Sequence, residues 1–325
     1  MIPTTTRRIL LTATVVGVGA LVVASLLVGG YDISLLGLLT DPAQREMFLI
    51  SRVPRTLALV FAAVAMSISG VIMQMITQNK FVEPTTAGTA QWAGLGLLVG
   101  LILIPGASPI VKMVLACLFA FVGTGIFLAV LRRLASRSSI IVPLVGIMLG
   151  AVVGAATTYL ANSFGLLQSL ASWRSGGFSN IVRGFYEPLW IVSIIAVLAF
   201  VVADRFTVAG LGKDLATNAG VNYDRIVLLG VTMVALATGV TTVVVGFIPF
   251  LGLVVPNLVS MVLGDDLRKN LPWVAVVGVG LLLACDLIGR LIVAPMEIPA
   301  SVVMGAIGAA LFIAIVLRQR RSVYA

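Results

Sequence analysis

Residues 52–96 read RVPRTLALVFAAVAMSISGVIMQMITQNKFVEPTTAGTAQWAGLG, and the reading of this stretch decides the fold. Arg52, Pro54 and Arg55 open it, and an apolar run then extends to Thr77 without a charged side chain. About twenty such residues in a helix match the hydrocarbon thickness of a bilayer. The exit over 78–88, QNKFVEPTTAG, is polar and punctuated by proline and glycine, the composition of a loop. A charged entrance, one crossing and a polar exit indicate one span of a multi-spanning helical protein.

The rest of the chain agrees. Of its 325 residues 60% are hydrophobic and 10% charged, and the mean hydropathy is +1.16. Soluble domains carry about 25% charged residues, so this chain cannot cover a water-facing surface and lipid must be its main solvent. The expected fold class is an all-α polytopic membrane protein, a single domain over 1–325. Apolar runs predict about ten helices, near 9–28, 55–76, 92–104, 110–131, 140–161, 187–203, 226–246, 249–263, 272–289 and 299–317. The run from Ile9 is too long for a signal-peptide core and is read as a first span. The helices near 92–104 and 249–263 are short, and interrupted spans either line a pathway or simply pack.

The net charge of +9 does not indicate nucleic acid, because the basic residues sit in short clusters between apolar runs. With ten spans and the N-terminus inside, both termini are cytoplasmic, and basic residues concentrate in the inside segments, as the positive-inside rule requires. Arg52, Arg55 and Arg290 then lie outside, at helix ends. The outside segment 162–186 reads as an interfacial helix followed by a turn at Gly176 and Gly177. The inside segment 204–225 is polar. Gly212 is expected to break its entry, Asp214 to cap a short helix and Gly220 to end it. Gly146, Gly150 and Gly154 share one face, a stripe for close packing within the chain in preference to a dimer seam.

Chemistry is scarce. The chain has no histidine and two cysteines, both in apolar runs, which argues against a metal centre, a disulfide framework and most hydrolytic mechanisms. Gly212-Lys213 lacks the remainder of a phosphate-binding loop. Asp286 is the best intramembrane carboxylate, and Arg290, four residues on, is its natural partner. No nucleophile–base pair is evident, so the chain is expected not to be an enzyme and to bind no cofactor or metal directly.

Three stretches together resemble a known family. They are Arg52-x-Pro-Arg55-Thr with Gly70, Gln74, Asn79, Glu83-Pro84 and Gly88; Gly246 to Pro256 (GFIPFLGLVVP); and Asp286-x-x-x-Arg290 with Glu297-x-Pro299. Their order and spacing are similar to those of the permease subunits of type II ABC importers for iron–siderophores, haem and cobalamin, and the likeness spans nearly the whole chain. QNKFVEPTTAGT is most similar to siderophore permeases that pair with a second, different permease. The resemblance implies a ferric siderophore as substrate. Its implied partners are a second permease in a heterodimer, two ATPase subunits carrying ATP and magnesium, and an extracytoplasmic binding protein, all at a bacterial inner membrane. Haem or cobalamin transport, an ion-coupled carrier and a structural scaffold are the alternatives.

Residue roles follow from the same resemblance. Arg52, Arg55 and Arg290 are expected to dock the binding protein, since guanidinium forks orient carboxylates; interfacial snorkelling is the plainer account of the first two. The cytoplasmic gate is expected at Asn79, Phe81, Ser138 and Ser139. Lys80-Phe81 stands where the family has Pro-Leu, so Phe81 is the expected apolar plug, and the serines serve equally well as a helix cap. Gly212, Lys213, Asp214, Ala216 and Gly220 match the loop that contacts the ATPase. Asn257 stands where many members have His, and no role is assigned to it. Thr157, Thr158, Ser163 and Gln168 are candidate pathway-lining residues.

Overall fold

The computed structural model describes residues 4–29, 34, 37–134 and 140–323. Helices α1 (Thr4–Leu27), α2 (Val53–Thr77), α3 (Thr89–Leu103), α4 (Pro109–Arg133) and α5 (Ile141–Ser163) are followed by the short α6 (Leu167–Ser175). Then come α7 (Ile191–Val201), α8 (Ala203–Ala209), α9 (Lys213–Asn218), α10 (Tyr223–Val245), α11 (Leu251–Leu263), α12 (Leu267–Ile292) and α13 (Ala300–Val323). Every apolar run of the sequence has become a helix. Among the described residues seven helices are long and apolar enough to span a bilayer, or eight if the 64° bend between Glu187–Val201 and Ala203–Ala209 lies within one span. Helices α3 and α11 are the two shorter apolar ones, so ten is an approximate number of crossings.

Helix α2 is the axis of the bundle. Twenty of its 25 residues are buried, which places packed protein around it on all sides. Small residues make this possible. A β-carbon at Gly70 would lie 1.9 Å from the carbonyl oxygen of Gly252, and one at Gly278 would lie 2.2 Å from Ser67 Oγ, so α11 and α12 approach α2 closely. Helix α1, by contrast, leaves Ile9, Leu10, Val15, Val16 and Val23 exposed, as a peripheral lipid-facing helix would.

The connection after α1 is helical from Pro42 onward. Asp41 caps it by accepting from Ala43 N–H, and the proline fits the first turn; a π-helical turn at Phe48–Arg52 then leads into α2. One expectation, at Asp214, needs correction. Asp214 does not cap α9: Gly212 occupies the cap position at φ +109°, and Asp214 sits in the first turn. Gly220 does end the segment, at φ +77°, and Asn222 caps α10 through Arg225 N–H at 3.1 Å.

The link between α2 and α3 turns back into the bundle, and the glycines of α5 make room for it. A β-carbon at Gly146 would lie 2.2 Å from the Thr86 carbonyl, and one at Gly150 3.3 Å from Gly88 Cα. The stripe at Gly146 and Gly150 therefore packs within the chain. Buried backbone must find partners inside the protein, and here it does. Phe81 N–H donates to Asn79 Oδ1 at 2.9 Å, Glu83 N–H to Thr86 Oγ1 at 2.9 Å, and Asn257 Nδ2 to the Lys80 carbonyl at 2.8 Å.

Candidate functional site

The bundle has an arginine end, where α2 begins, and a loop end, where α2 finishes. At the arginine end α1, α2, α12 and the α12–α13 link bring five charged groups together. Arg55 Nη2 donates to Asp286 Oδ1 at 2.8 Å, while its Nη1 reaches both oxygens of Glu297, at 3.1 and 2.8 Å. Arg290 donates to Asp286 Oδ2, one turn back on α12, and to the carbonyls of Ser25 and Val28 at 3.0 and 2.9 Å. Arg52 shares the Val28 carbonyl at 2.9 Å. Ser179 donates to Glu297 Oε2 at 2.6 Å. Three guanidiniums against two carboxylates leave one net positive charge.

This cluster lies beneath the surface. Arg52, Arg55, Asp286 and Arg290 are 7%, 7%, 2% and 4% exposed; only Glu297 and Ser179 reach outward. The side chain of Glu297 is 26% exposed. Its burial works against its charge, but the Ser179 hydroxyl and the Arg55 guanidinium outweigh that and hold its carboxyl below the ordinary value. The sequence reading found the Asp286–Arg290 pair. It did not find that Arg55 and Glu297, 242 residues apart, join the same network.

At the loop end, Asn79 is buried and its side chain forms a turn around Phe81 N–H. Phe81 is half-buried and packs edge-to-face on Phe312 of α13, ring centroids 5.8 Å apart. Ser138 and Ser139 lie outside the described residues. Lys80 pairs with Asp265 at 3.0 Å, both largely exposed. Asn257, given no role from sequence, holds the Lys80 carbonyl at 2.8 Å. Helix α9 stands beside this end. A β-carbon at Gly212 would lie 3.1 Å from the Gln78 amide, and one at Gly210 2.9 Å from Met75 Sδ. Ala216 is buried, and Lys213 pairs with Asp224 at 3.3 Å, as does Arg132 at 3.4 Å.

Between the ends, the interrupted region Gly246–Phe250 separates α10 from α11, and a cavity of about 600 Å³ opens beside it. Gln91, Ile147, Arg174, Phe247, Phe250 and Ser301 contribute to its wall. None of Thr157, Thr158, Ser163 and Gln168 lines it. Thr157 is buried and bonds Val153 O at 2.7 Å, Ser163 bonds Tyr159 O at 3.0 Å, and Gln168 is exposed on α6. Thr158 stands behind the wall and accepts from Arg174 at 3.1 Å.

Glu83 was also missed as an internal group, because it falls in a polar loop by sequence. It is fully buried. Its Oε1 accepts from Phe250 N–H at 3.0 Å and from the Thr85 hydroxyl. The carboxylate thus closes the start of α11, a favourable place for negative charge, and ties the re-entrant link to the interrupted span.

Comparison with known proteins gives the chain a context. Residues 14–318 match the model of the FecCD transport family. The petrobactin import system permease protein FatD of Bacillus anthracis is 50% identical over 299 residues, covering 92% of this chain and 88% of that one. The ferric-anguibactin transport system permease protein FatD of Vibrio anguillarum is 38% identical, covering 84% and 87%. The vitamin B12 import system permease BtuC of Escherichia coli is 33% identical, covering 83% of each. A solved metal-chelate type ABC transporter in an inward-facing conformation superposes with a TM-score of 0.81 over 95% of this chain and 99% of its own, at 23% identity.

Proposed function

The chain belongs to the FecCD transport family, and from that premise we propose that it is the membrane-spanning permease of an ATP-driven importer for a ferric siderophore. The observation that carries this reading is the interrupted pair α3 and α11, whose N-terminal ends meet at an open cavity on the side of the bundle. Irregular backbone at membrane depth is tolerated where it lines a cavity, and a bulky chelate needs such a space. The permease itself does no bond chemistry; the energy comes from ATPase subunits bound at the loop end. There the short rigid α9, entered through Gly212, Lys213 and Asp214, seated by Ala216 and ended by Gly220, passes on their movement. Both termini then face the cytoplasm, and the arginine end faces outward.

In this reading the binding protein docks at the arginine end and a second permease completes the pathway, most simply as a heterodimer. Arg52, Arg55 and Arg290 supply the positive field that attracts it. Because all three are buried, an incoming carboxylate meets Glu297 and Ser179 first, so a direct contact with Arg55 requires Glu297 to swing aside. Asn79 and Phe81 shape the gate from the loop end, with Phe312 as the surface on which Phe81 rests.

The test is reconstitution. Co-purified with its ATPase and second permease, the protein should move a ferric siderophore into vesicles only with ATP and loaded binding protein. Uptake sustained by an ion gradient without ATP would instead identify an ion-coupled carrier, and uptake of haem or cobalamin alone would shift the substrate class.

A further inference from the structure

The cavity beside Phe250 contains one charged group, and the mechanism so far gives it no task. Arg174 closes α6. Its Nη2 donates to the carbonyl of Gly154 and to Thr158 Oγ1, both at 3.1 Å, and among the described residues it has no carboxylate partner. Its remaining N–H groups are free for a ligand, because a guanidinium carries five donors.

The backbone holds this arginine in place. Phe247 N–H donates to the Trp173 carbonyl at 3.3 Å, and Ser301 Oγ donates to the Gly176 carbonyl at 2.7 Å. A β-carbon at Gly246 would meet the Trp173 carbonyl at 2.3 Å, and one at Gly176 would meet the Phe247 carbonyl at 2.1 Å. The last turn of α6 is thus clamped between the α10–α11 break and the start of α13. On α5, Gly154 and Thr158 lie about two and a half turns and one and a half turns below its C-terminus. An arginine that snorkels extends away from the bundle toward the interface. This one, although exposed, turns toward α5 and the open cavity.

The other wall groups suit a large anion. Gln91 also lines the wall, and its amide NH2 carries two donors of the kind an anion accepts from. Phe247 and Phe250 supply flat apolar surface. We propose that Arg174, assisted by Gln91, forms an anion-recognition site in the transport cavity that favours net-negative ferric chelates over neutral ones. Ferric trihydroxamates are neutral and give a guanidinium no net charge to hold; the chelates proposed here carry excess negative charge on oxygens that a guanidinium fork engages. The inference rests on the importer reading.

The experiment uses the complete transporter in vesicles, with a radio-iron catecholate chelate delivered by its binding protein. Uptake and the ATPase stimulation caused by loaded binding protein are measured side by side. R174Q is expected to lower uptake about ten- to a hundredfold, the weight of a hydrogen bond to a charged group, with R174E lower still and R174K largely retained. ATPase stimulation should stay at the wild-type level in all three. Q91L, which leaves Arg174 in place and keeps the test open if R174Q does not assemble, should lower uptake severalfold. Unchanged uptake in R174Q, or in Q91L where only that variant assembles, overturns the site. Uptake and ATPase stimulation falling together also overturn it, since the arginine would then serve docking or assembly. If wild-type protein neither moves the chelate nor responds to binding protein, the importer reading itself fails.

Discussion

Asp286 is the residue whose loss should be felt most. It is 2% exposed and accepts from two guanidiniums, Arg55 at 2.8 Å and Arg290 one turn away. Asp286→Asn removes the charge and leaves both arginines buried. Arg55 then keeps Glu297, whereas Arg290 keeps only the Ser25 and Val28 carbonyls and the Ser25 hydroxyl. Breaking a buried pair from one side costs about 3–5 kcal/mol, and Asp286→Asn should lose that much. Asp286→Leu combined with Arg290→Met removes the charged pair from α12 altogether. The remaining penalty is the hydrogen bond Arg55 loses, about 1.5–3 kcal/mol, so the double variant should be more stable than Asp286→Asn. Reversible unfolding in mixed micelles measures both. A cost under about 1 kcal/mol for Asp286→Asn, the range of an exposed pair, would refute the claim that this network is buried and interdependent.

Three other outcomes follow from single contacts. Gly70→Ala should abolish folded protein, since its β-carbon would sit 1.9 Å from the Gly252 carbonyl, whereas Gly125→Ala, with nothing within 4 Å, should be neutral or slightly stabilising; yield of monodisperse protein separates them. Glu83→Ala should cost about 1–3 kcal/mol by orphaning Phe250 N–H, and Glu83→Gln should recover much of that; thermal melts of the two variants compare them. Glu297, facing Ser179, Arg55 and Arg290, has a lowered folded pKa. Its contribution is therefore complete above the unfolded value, about 4.3, and fades as pH falls through the lower folded value. Glu297→Gln should flatten the stability profile in that acid window, and a profile identical to wild type would contradict the Arg55–Glu297 pair.

The helices were legible because burial in lipid requires long apolar runs, and hydropathy reports those runs directly. The Asp286–Arg290 pair was legible because helical spacing alone brings residues four apart together. The link 78–88 was legible by composition only as a loop, and the contacts of Gly146 and Gly150 with Thr86 and Gly88 show that it re-enters the bundle. The same holds for Glu83, which looks solvated by sequence and is fully buried. Among the lining residues, the hydroxyls of α5 were chosen for polarity. In the helix they turn to their own backbone, as Thr157 does to Val153, and the cavity wall comes from elements far apart in sequence. Arg174 was not singled out by sequence, because its neighbours Gln91 and Phe250 are joined to it by packing alone.

The network at the arginine end also sets a schedule for making the protein. Arg55 and Asp286 are 231 residues apart, and chains are synthesised at about 5–20 residues per second. For roughly ten to fifty seconds after α2 leaves the ribosome, its arginine lacks the carboxylate it pairs with in the fold. During that interval the guanidinium has to stay at the membrane surface, where its long stem lets it reach water. Helix α2 therefore carries an unmatched arginine at its entrance until α12 arrives, and the ion pair that locks the mature bundle forms only late in synthesis.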